Sequence, residues 1–365
     1  MKKTAIVALA GIAAVTVALT GCGRTEPGAE GGGDDAAGFA ADASIGVALH
    51  DRTSENWVLA GDLFENGLEE AGFTGDVQYA GSSNAVGDQQ QQVQQMIDAG
   101  VEVIVIGAAD TNQLATQLEA ADAADITVIA YDRLIQNSDL VDYYVAFDNF
   151  NVGVLQAESL LEGLEANFPG ESPWNVELFS GSSDDSNSAV FFDGAMSVLQ
   201  PAIDDGTLNV VSGQTTVQQT ATEDWAAENA QNRMDTIITS SYQGVELHGV
   251  LSPNDNLARA IIASATGAGF PVPVVTGQDS EVASVESIVA GEQYSTIYKD
   301  TRALVAATID MVSQLQAGEE VTTTGEADNG AVEVPSNLLD PVIVTQENAA
   351  EAYADNPDLE PLTQQ

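Results

Sequence analysis

The sequence predicts an α/β fold, in which short buried strands alternate with helices around parallel sheets. Segments such as ITVIAY (126–131) and YYVAF (143–147) are rich in β-branched and aromatic residues and end on polar residues, which is typical of buried parallel strands. Longer amphipathic segments between them end at glycines such as Gly72 and Gly100, as helices do. The alternation begins again after Asn149, and 365 residues are enough for two domains with separate cores.

Strict alternation of this kind calls for parallel sheets with helices on both faces and right-handed crossovers. In the first half, the predicted strands cover 45–49, 77–80, 101–106, 126–131 and 143–147, and the predicted helices cover 57–71, 88–99 and 111–124. In the second half, strands are predicted at 176–179, 208–211, 249–251, 272–276, 294–298 and 342–345, and helices at 150–164, 189–203, 225–239, 257–268, 282–290 and 301–316, with a loop at 317–331.

The composition excludes several classes of function. The formal net charge is -47, with only nine Lys and Arg residues, so the surface repels nucleic acid and anionic lipid. This acidity fits a salty or alkaline habitat, and it equally fits a secreted protein that its acids keep soluble. The single cysteine, Cys22, excludes an internal disulfide framework and a cysteine-based zinc site.

The N-terminal part of the chain has the pattern of an export signal followed by a tether. Residues 1–21 begin with Lys2 and Lys3 and continue with an apolar core that is shorter than a membrane span. LTGC (19–22) resembles the bacterial lipobox, in which Cys22 becomes the lipidated first residue; the alternative is an ordinary cleaved signal with a free thiol. Residues 22–43 are rich in Gly, Ala and acids, which predicts a flexible tether.

Polar residues follow the predicted strands, and ligands of open α/β sheets bind outside these carboxyl ends. They show no serine–histidine–acid order, and the spacings of phosphate and calcium loops are missing. Such a set suits a neutral polyhydroxylated ligand, since Asp accepts hydrogen bonds, Arg and Lys donate them, and Asn and Gln do both. The residues are His50, Asp132, Arg133, Asp148, Asn149, Asn187, Asn254, Asp255, Gln278, Asp279 and Lys299.

The candidates also have ordinary structural interpretations. Asp132 and Arg133 are adjacent, and in the alternative interpretation they form only a local ion pair. Trp57 and Trp225 either offer flat apolar faces to a sugar ring or pack in the core. Both tryptophans begin predicted helices near strand ends, which favours a pocket. Because basic residues are scarce, Arg133 and Lys299, one in each half of the chain, are stronger candidates than cations in an average protein.

Four long segments make the sequence recognisable: VIAYDRLIQNSDLVDYYVAFDNFNVGVLQA (128–157), NVELFSGSSDDSNSAVFFDGAMSVLQP (175–201), LSPNDNLARAII (251–262) and VVTGQDSEVASVESIVAGEQYSTIYKDTR (274–302). In this order they resemble the ChvE-type multiple-sugar-binding proteins of the type I periplasmic binding protein family. They are also similar to xylose-binding and ribose-binding proteins of that type. The resemblance covers nearly all of residues 44–350.

The resemblance implies two Rossmann-like lobes, joined by a three-strand hinge, with a sugar held between them. It divides the chain into a lipoprotein signal peptide (1–21), a lipid-anchored tether (22–43), a first lobe (44–149 with 301–334) and a second lobe (150–300 with 335–365). The chain is then expected to cross between the lobes near Asn149, near Asp300 and in the loop before the last strand.

The same resemblance implies which residues bind the ligand. Asn56 stands where sugar-binding relatives often carry arginine, which leaves the sugar preference open. No catalytic residue, cofactor or metal is expected. The implied ligand-binding residues are Asn56, Trp57, Asp132, Arg133, Asn187, Trp225, Asn254, Asp255, Asp279 and Lys299.

We therefore expect a monomeric lipoprotein, anchored at Cys22 on the extracytoplasmic face of the cell membrane, that is neither an enzyme nor a nucleic-acid-binding protein. It is expected to bind an aldopyranose such as xylose, galactose, glucose or arabinose and to deliver it to an ABC permease. The main alternative is a sugar-sensing receptor that engages a sensor kinase or a chemoreceptor. A glycosidase with paired carboxylates is a third class, whereas the export signal and the missing basic segment argue against a sugar-responsive repressor.

Overall fold

The computed structural model of the chain describes residues 38–50, 52 and 54–364. The predicted signal peptide, the predicted lipidation site Cys22 and most of the predicted tether lie outside these residues. No helix within the described ranges is long and apolar enough to cross a membrane.

The helices and strands follow one another in the predicted alternation. The first half contains β1 (Ser44–Leu49), α1 (Glu55–Glu70), β2 (Thr74–Tyr79), α2 (Ala85–Ala99), β3 (Val103–Ile106), α3 (Ala115–Asp122), β4 (Thr127–Tyr131) and β5 (Tyr143–Phe147). The second half contains α4 (Asn149–Asn167), β6 (Trp174–Leu178), α5 (Ser186–Asp204), β7 (Leu208–Val210), α6 (Val217–Thr220), α7 (Ala227–Ser241), β8 (Gly249–Leu251), α8 (Asp255–Gly267), β9 (Val274–Val275), α9 (Val282–Ala290), β10 (Ser295–Tyr298), α10 (Thr301–Ala317), β11 (Gly325–Asp328), β12 (Glu333–Leu339), β13 (Val342–Thr345) and α11 (Ala349–Ala352).

The first lobe is built on a seven-stranded sheet with the order β11-β12-β5-β4-β3-β1-β2. All neighbouring strands pair in parallel except β11 and β12, which are antiparallel. The strands are apolar on both faces because helices cover both: Phe64 of α1 and Met311 of α10 pack on one face, and Met96 of α2 and Leu118 of α3 pack on the other.

The second lobe contains a parallel four-stranded sheet with the order β7-β6-β8-β9 and an antiparallel pair, β10 and β13. Helices α4 and α5 cross closely, because Gly153 and Gly194 have no side chain at the crossing. A Cβ atom at Gly153 would overlap the carbonyl of Phe191, and one at Gly194 would overlap the carbonyl of Phe150. The predicted α/β class with two lobes is confirmed.

The chain passes between the lobes at three places: after Phe147, at Lys299–Asp300 and at Asp340–Pro341. At the first two crossings an aspartate caps the helix that follows. Asp148 accepts a hydrogen bond from the Asn151 N–H at 3.0 Å, and Asp300 accepts one from the Arg302 N–H at 3.0 Å. At both of these crossings, the chain therefore enters the next lobe as a helix whose first turn is capped.

Two predicted boundaries differ from the structure. The first lobe continues to Leu339 rather than to 334, because 336–339 pair in parallel with β5. The tether is shorter than predicted, because 38–43 pack on the first lobe. The ring of Phe39 lies 6.3 Å from that of Phe73, and its carbonyl accepts a hydrogen bond from the Gln316 side chain at 3.0 Å.

Three predicted elements also differ. Helix α3 begins at Ala115 rather than at 111, because the Thr111 N–H is donated to the carbonyl of Asp184 in the second lobe. The predicted loop 317–331 contains strand β11. Trp225 does not begin a helix: it ends a 3-10 turn, Glu223–Trp225, and has a φ of 51°.

The charge of the chain predicts that salt stabilises the fold. A net charge of -47 makes the compact state repel itself, and added ions screen this repulsion. Raising NaCl from about 0.05 to about 1 M is expected to add about 1 kcal/mol of stability or more, which corresponds to about 2–4 °C in Tm. Calorimetry in NaCl and in KCl at equal ionic strength checks this; a Tm that does not rise in either salt would contradict it.

Candidate functional site

A cavity of about 820 Å³ lies between the lobes, at the carboxyl ends of both parallel sheets. Its wall contains every predicted ligand-binding residue except Asp255: Asn56, Trp57, Asp132, Arg133, Asn187, Trp225, Asn254, Asp279 and Lys299. Residues that follow strands in both halves of the chain thus lie around one cavity, as the sequence predicts. Contact between these residues and a ligand stays a prediction.

Asp132 follows β4 with its backbone in the left-handed region, at a φ of 60°. Its carbonyl accepts hydrogen bonds from the Tyr144 hydroxyl at 2.8 Å and from the Asn187 amide at 2.9 Å. The oxygen of the Asn187 amide in turn accepts from Asn149 at 3.0 Å. Asn187 therefore serves mainly as a bridge from the second lobe to the first, while the Asp132 carboxylate stays partly exposed to the cavity.

Arg133 is paired with Asp185 of the second lobe and not with the adjacent Asp132. Its Nε lies 3.0 Å from Oδ2 of Asp185, and its Nη1 donates to the carbonyl of Ala108 at 3.2 Å. Burial raises the pKa of the Asp185 carboxyl, and the guanidinium of Arg133 opposes this shift. Arg133 therefore forms an ion pair with the other lobe, and not the local pair with Asp132 that the alternative interpretation predicted.

Asp185 is a site residue that the sequence prediction missed. Besides its pair with Arg133, its Oδ2 accepts a hydrogen bond from the indole N–H of Trp225 at 3.2 Å, and its Oδ1 accepts from the Asn187 N–H at 2.9 Å. One carboxylate thus caps α5 and contacts three of the predicted ligand-binding residues, Arg133, Trp225 and Asn187. The sequence did contain a signal for it, because Asp185 lies in the polar segment between the predicted strand 176–179 and the predicted ligand-binding residue Asn187.

Lys299 lies between two carboxylates from opposite lobes. Its ammonium nitrogen is 3.8 Å from Oδ1 of Asp132 and 3.5 Å from Oδ1 of Asp279, and it lies 5.6 Å from the ring centre of Phe191. Burial alone lowers the pKa of Lys299, but the carboxylates of Asp132 and Asp279 outweigh it, so that the pKa is raised. The side chain is therefore a permanent cation between the two acids.

Asp279 reaches the cavity from a turn after β9, with a φ of 97°. Burial raises the pKa of its carboxyl, while Lys299 and a hydrogen bond from Asn254 lower it. The oxygen of Asn254 caps α8 by accepting from the Leu257 N–H at 3.0 Å. Asn254 and Lys299 thus both support the ionised form of Asp279.

The two tryptophans lie on glycines at strand ends. A Cβ atom at Gly107 would lie 2.6 Å from the ring of Trp57, and one at Gly181 would overlap the ring of Trp225. Trp57 is nearly buried and stacks with the His50 ring at 5.9 Å, whereas Trp225 is half-buried. Each indole forms part of the cavity wall because the residue beneath it has no side chain.

Gln278, like His50, lines the cavity and follows a predicted strand but was not among the implied ligand-binding residues. It is buried and donates to the carbonyl of Pro253 at 3.3 Å, whereas its Oε1 has no hydrogen-bond partner within the described part of the chain. A buried acceptor without a partner costs stability unless a ligand or water satisfies it.

One group of residues outside the cavity has the composition of a metal site. Ligand atoms of Glu171, Glu246 and His248 lie within 4.8 Å of one another. However, Nδ1 of His248 accepts the Asn175 N–H at 2.8 Å, so the neutral ring carries its proton on Nε2, the nitrogen that faces the carboxylates. Nε2, which lies 3.3 Å from Oε2 of Glu171, therefore has no lone pair to offer a metal ion.

Comparison with known proteins gives consistent results. Residues 45–320 match the family model described as a periplasmic binding protein domain. The multiple sugar-binding periplasmic receptor ChvE of Rhizobium radiobacter is 47% identical over 85% of this chain and 89% of its own length. The multiple sugar-binding periplasmic protein SbpA of Azospirillum brasilense is 42% identical over 84% of this chain and 86% of its own length.

A solved structure agrees with these relatives. The crystal structure of an ABC transporter solute binding protein from Clostridium phytofermentans, with bound beta-D-glucose, is 39% identical and superimposes with a TM-score of 0.83 over 88% of this chain and 100% of that chain. Because these relatives are binding proteins, the prediction that the chain is not an enzyme is confirmed. The chain belongs to the periplasmic binding protein family and has its type I, two-lobed α/β fold.

Proposed function

We propose that the chain is the sugar-binding receptor of an ABC importer and binds an aldopyranose such as glucose, xylose, galactose or arabinose between its lobes. The observation that carries this proposal is the cavity wall, which combines two indole faces with carboxylates, amides and three cations, Arg133, Arg259 and Lys299. The relatives at 47% and 42% identity are described as multiple sugar-binding proteins, and the similar solved structure contains beta-D-glucose. Both facts support a monosaccharide ligand.

The polar groups of the cavity fit the chemistry of sugar hydroxyls. A hydroxyl donates one hydrogen bond and accepts others, so a ring of hydroxyls needs acceptors and donors in alternation. Asp132 and Asp279 supply charged acceptors, and Arg133 and Lys299 supply charged donors. Charge-assisted hydrogen bonds of this kind are stronger than neutral ones, and the indoles cover the apolar C–H faces of the ring.

Hinge closure is the proposed mechanism of binding. Contacts between the lobes surround the cavity: the Thr111 N–H and hydroxyl both donate to the carbonyl of Asp184, at 3.0 and 3.1 Å, and the Ser186 hydroxyl donates to the carbonyl of Leu134 at 2.9 Å. Since the proposed sugar contacts come from both lobes, they are complete only when the lobes are together. A sugar then shifts the population toward this closed form.

The cellular setting of the proposal comes from the sequence and from the relatives. ChvE and SbpA are described as periplasmic, which supports an extracytoplasmic receptor that presents its sugar to an ABC permease. We further propose a monomer that is attached to the membrane through a lipid at Cys22, after removal of residues 1–21. The LTGC motif and the acidic tether support this attachment.

Titration with monosaccharides tests the proposed function. D-glucose, D-xylose, D-galactose and L-arabinose are added separately while tryptophan fluorescence and binding heat are measured, with mannitol as an acyclic control. At least one aldopyranose is expected to bind with a Kd of about 10 µM or lower, equivalent to about 7 kcal/mol, and to change the emission of the half-buried Trp225. Absence of binding by all four sugars at millimolar concentration would refute the proposal.

Replacement of Asp279 tests the charged acceptor of the second lobe. Asp279→Ala removes a carboxylate that faces the cavity beside Lys299, and loss of hydrogen bonds to a charged group is expected to weaken sugar binding about 10- to 150-fold. Circular dichroism is expected to stay unchanged. Asp235→Ala, which removes an exposed acid of the same lobe, is the matched control. Equal sugar affinities for the two variants would exclude Asp279 from the site.

Replacement of Asp185 tests the connection between the lobes. Asp185→Asn keeps the shape of the side chain but removes the charge that faces Arg133 at 3.0 Å. We expect the Kd for the sugar to rise about tenfold or more, since a buried guanidinium loses its partner, and the Trp225 emission to change without sugar. Asp193→Asn, on an exposed position of the same helix, is expected to bind like the natural protein. The interpretation fails if Asp185→Asn does so too.

A further inference from the structure

Asp255 is a buried acid that the proposed site does not use. It is the first residue of α8, its exposed fraction is 0%, and it is absent from the cavity wall. We propose that Asp255 is a positioning residue, which holds the backbone turn that presents Asp279 to the cavity. This inference rests on the proposed function, because it assigns Asp255 a part in sugar binding without contact to the sugar.

Asp255 is bonded to the turn on both sides of Asp279. Its backbone N–H donates to the carbonyl of Gln278 at 3.0 Å, and its Oδ2 accepts the Glu281 N–H at 3.0 Å. Gln278 and Glu281 are the residues directly before and after the pair Asp279–Ser280. Asp255 therefore holds the backbone on both sides of Asp279, whose own N–H donates to the carbonyl of Ile297 at 2.9 Å.

The turn needs such support because its backbone is strained. Asp279 has a φ of 97° and Ser280 a φ of 54°, and a non-glycine residue in such a region costs about 1–3 kcal/mol. Thr296 adds a second connection: its hydroxyl donates to Oδ2 of Asp255 at 3.0 Å and accepts the Ser280 N–H at 3.3 Å. The strained pair is thus held through the carboxylate and through the hydroxyl bonded to it.

Hydrogen-bond donors face both side-chain oxygens of Asp255. Oδ2 faces the N–H of Glu281 and the hydroxyl of Thr296, and Oδ1 accepts from the side-chain amide of Gln293 at 2.8 Å. An asparagine in either orientation would turn its NH2 group toward one of these donors, whereas a carboxyl group offers an oxygen on both sides. Gly277 completes the fit, because a Cβ atom there would overlap Oδ1 of Asp255.

The test compares Asp255→Asn with Glu177→Gln. Glu177 is a second fully buried carboxylate of the same lobe; it accepts from the Ser212 N–H and the Tyr242 hydroxyl and lies outside the cavity wall. Both variants are expected to lower the sugar-free Tm. Only Asp255→Asn is expected to raise the Kd for D-glucose, or for whichever of the four sugars binds, by about tenfold or more, while Glu177→Gln stays within about twofold.

Hydrogen exchange of sugar-free protein provides a readout that does not depend on sugar binding. Asp255→Asn is expected to speed exchange of the Ser280 and Glu281 amides about tenfold or more relative to Glu177→Gln, because an NH2 group in place of one oxygen disrupts the bonds that accept the Glu281 N–H and orient Thr296, the acceptor of the Ser280 N–H. If the natural protein binds none of the sugars, the proposed function fails while the exchange result still decides whether Asp255 holds the turn. Unchanged exchange at both amides would overturn the inference.

Thr296→Val provides a milder variant if Asp255→Asn does not fold. It removes the hydroxyl that joins Asp255 to Ser280 and keeps the side-chain shape. We expect faster exchange of the Ser280 amide and a Kd raised about threefold or more, since one hydrogen bond in each direction is lost. A folded Thr296→Val protein with natural exchange and natural affinity would contradict the proposal as fully as an unchanged Asp255→Asn protein.

Discussion

The carboxylate of Asp185 connects the two lobes at the centre of the cavity. It lies 3.0 Å from the Arg133 guanidinium of the first lobe and accepts a hydrogen bond from the Trp225 indole of the second at 3.2 Å. Burying an ion pair costs desolvation energy, which is offset only when the remaining hydrogen-bonding positions are filled. Here the Asn187 N–H donates to Oδ1 of Asp185, and the carbonyl of Ala108 accepts from Nη1 of Arg133. The charged groups thus keep a fixed geometry in a largely buried site.

Unusual backbone conformations are concentrated at this site. Asp132, Trp225 and Asp279 all have positive φ values, of 60°, 51° and 97°, and all three line the cavity. Strained residues persist where the surrounding structure over-determines them. The Asn187 amide and Tyr144 hydroxyl hold the Asp132 carbonyl, Asp185 holds the indole of Trp225, and the bonds of Asp255 enclose Asp279. These hydrogen bonds hold the three residues in their strained conformations at the cavity wall.

Much of the site could be predicted from the sequence, because the position of a polar residue relative to a buried strand indicates where it lies in the fold. Buried parallel strands end at the same edge of a sheet, so polar residues after apolar runs were expected to converge, and most of them line the cavity. Asp255 is an exception, because a position at a strand end does not indicate which way the side chain points. The adjacent residues Asn254 and Asp255 point in different directions, and only Asn254 lines the cavity. The left-handed turn at Trp225 was hidden because a non-glycine residue with positive φ carries no compositional signal.

The parts of the fold that were predicted less well lack a periodic pattern. Strand β12 has the sequence EVPSNLL and strand β11 has GEAD, and neither shows the apolar run or alternation of a typical strand. They form at the edge because β5 offers an open row of backbone groups. Tertiary context, rather than local sequence, therefore decides where the first lobe ends.

The depth of the cavity depends on the two glycines beneath the indoles as well as on the residues of the wall. Gly107 and Gly181 are outside the wall, yet a single methyl group at either would displace the ring of Trp57 or Trp225. Relatives that share every wall residue can therefore differ in the size of ligand they admit through one carbon atom behind the wall. Comparison of binding sites within the family by lining residues alone would miss this determinant.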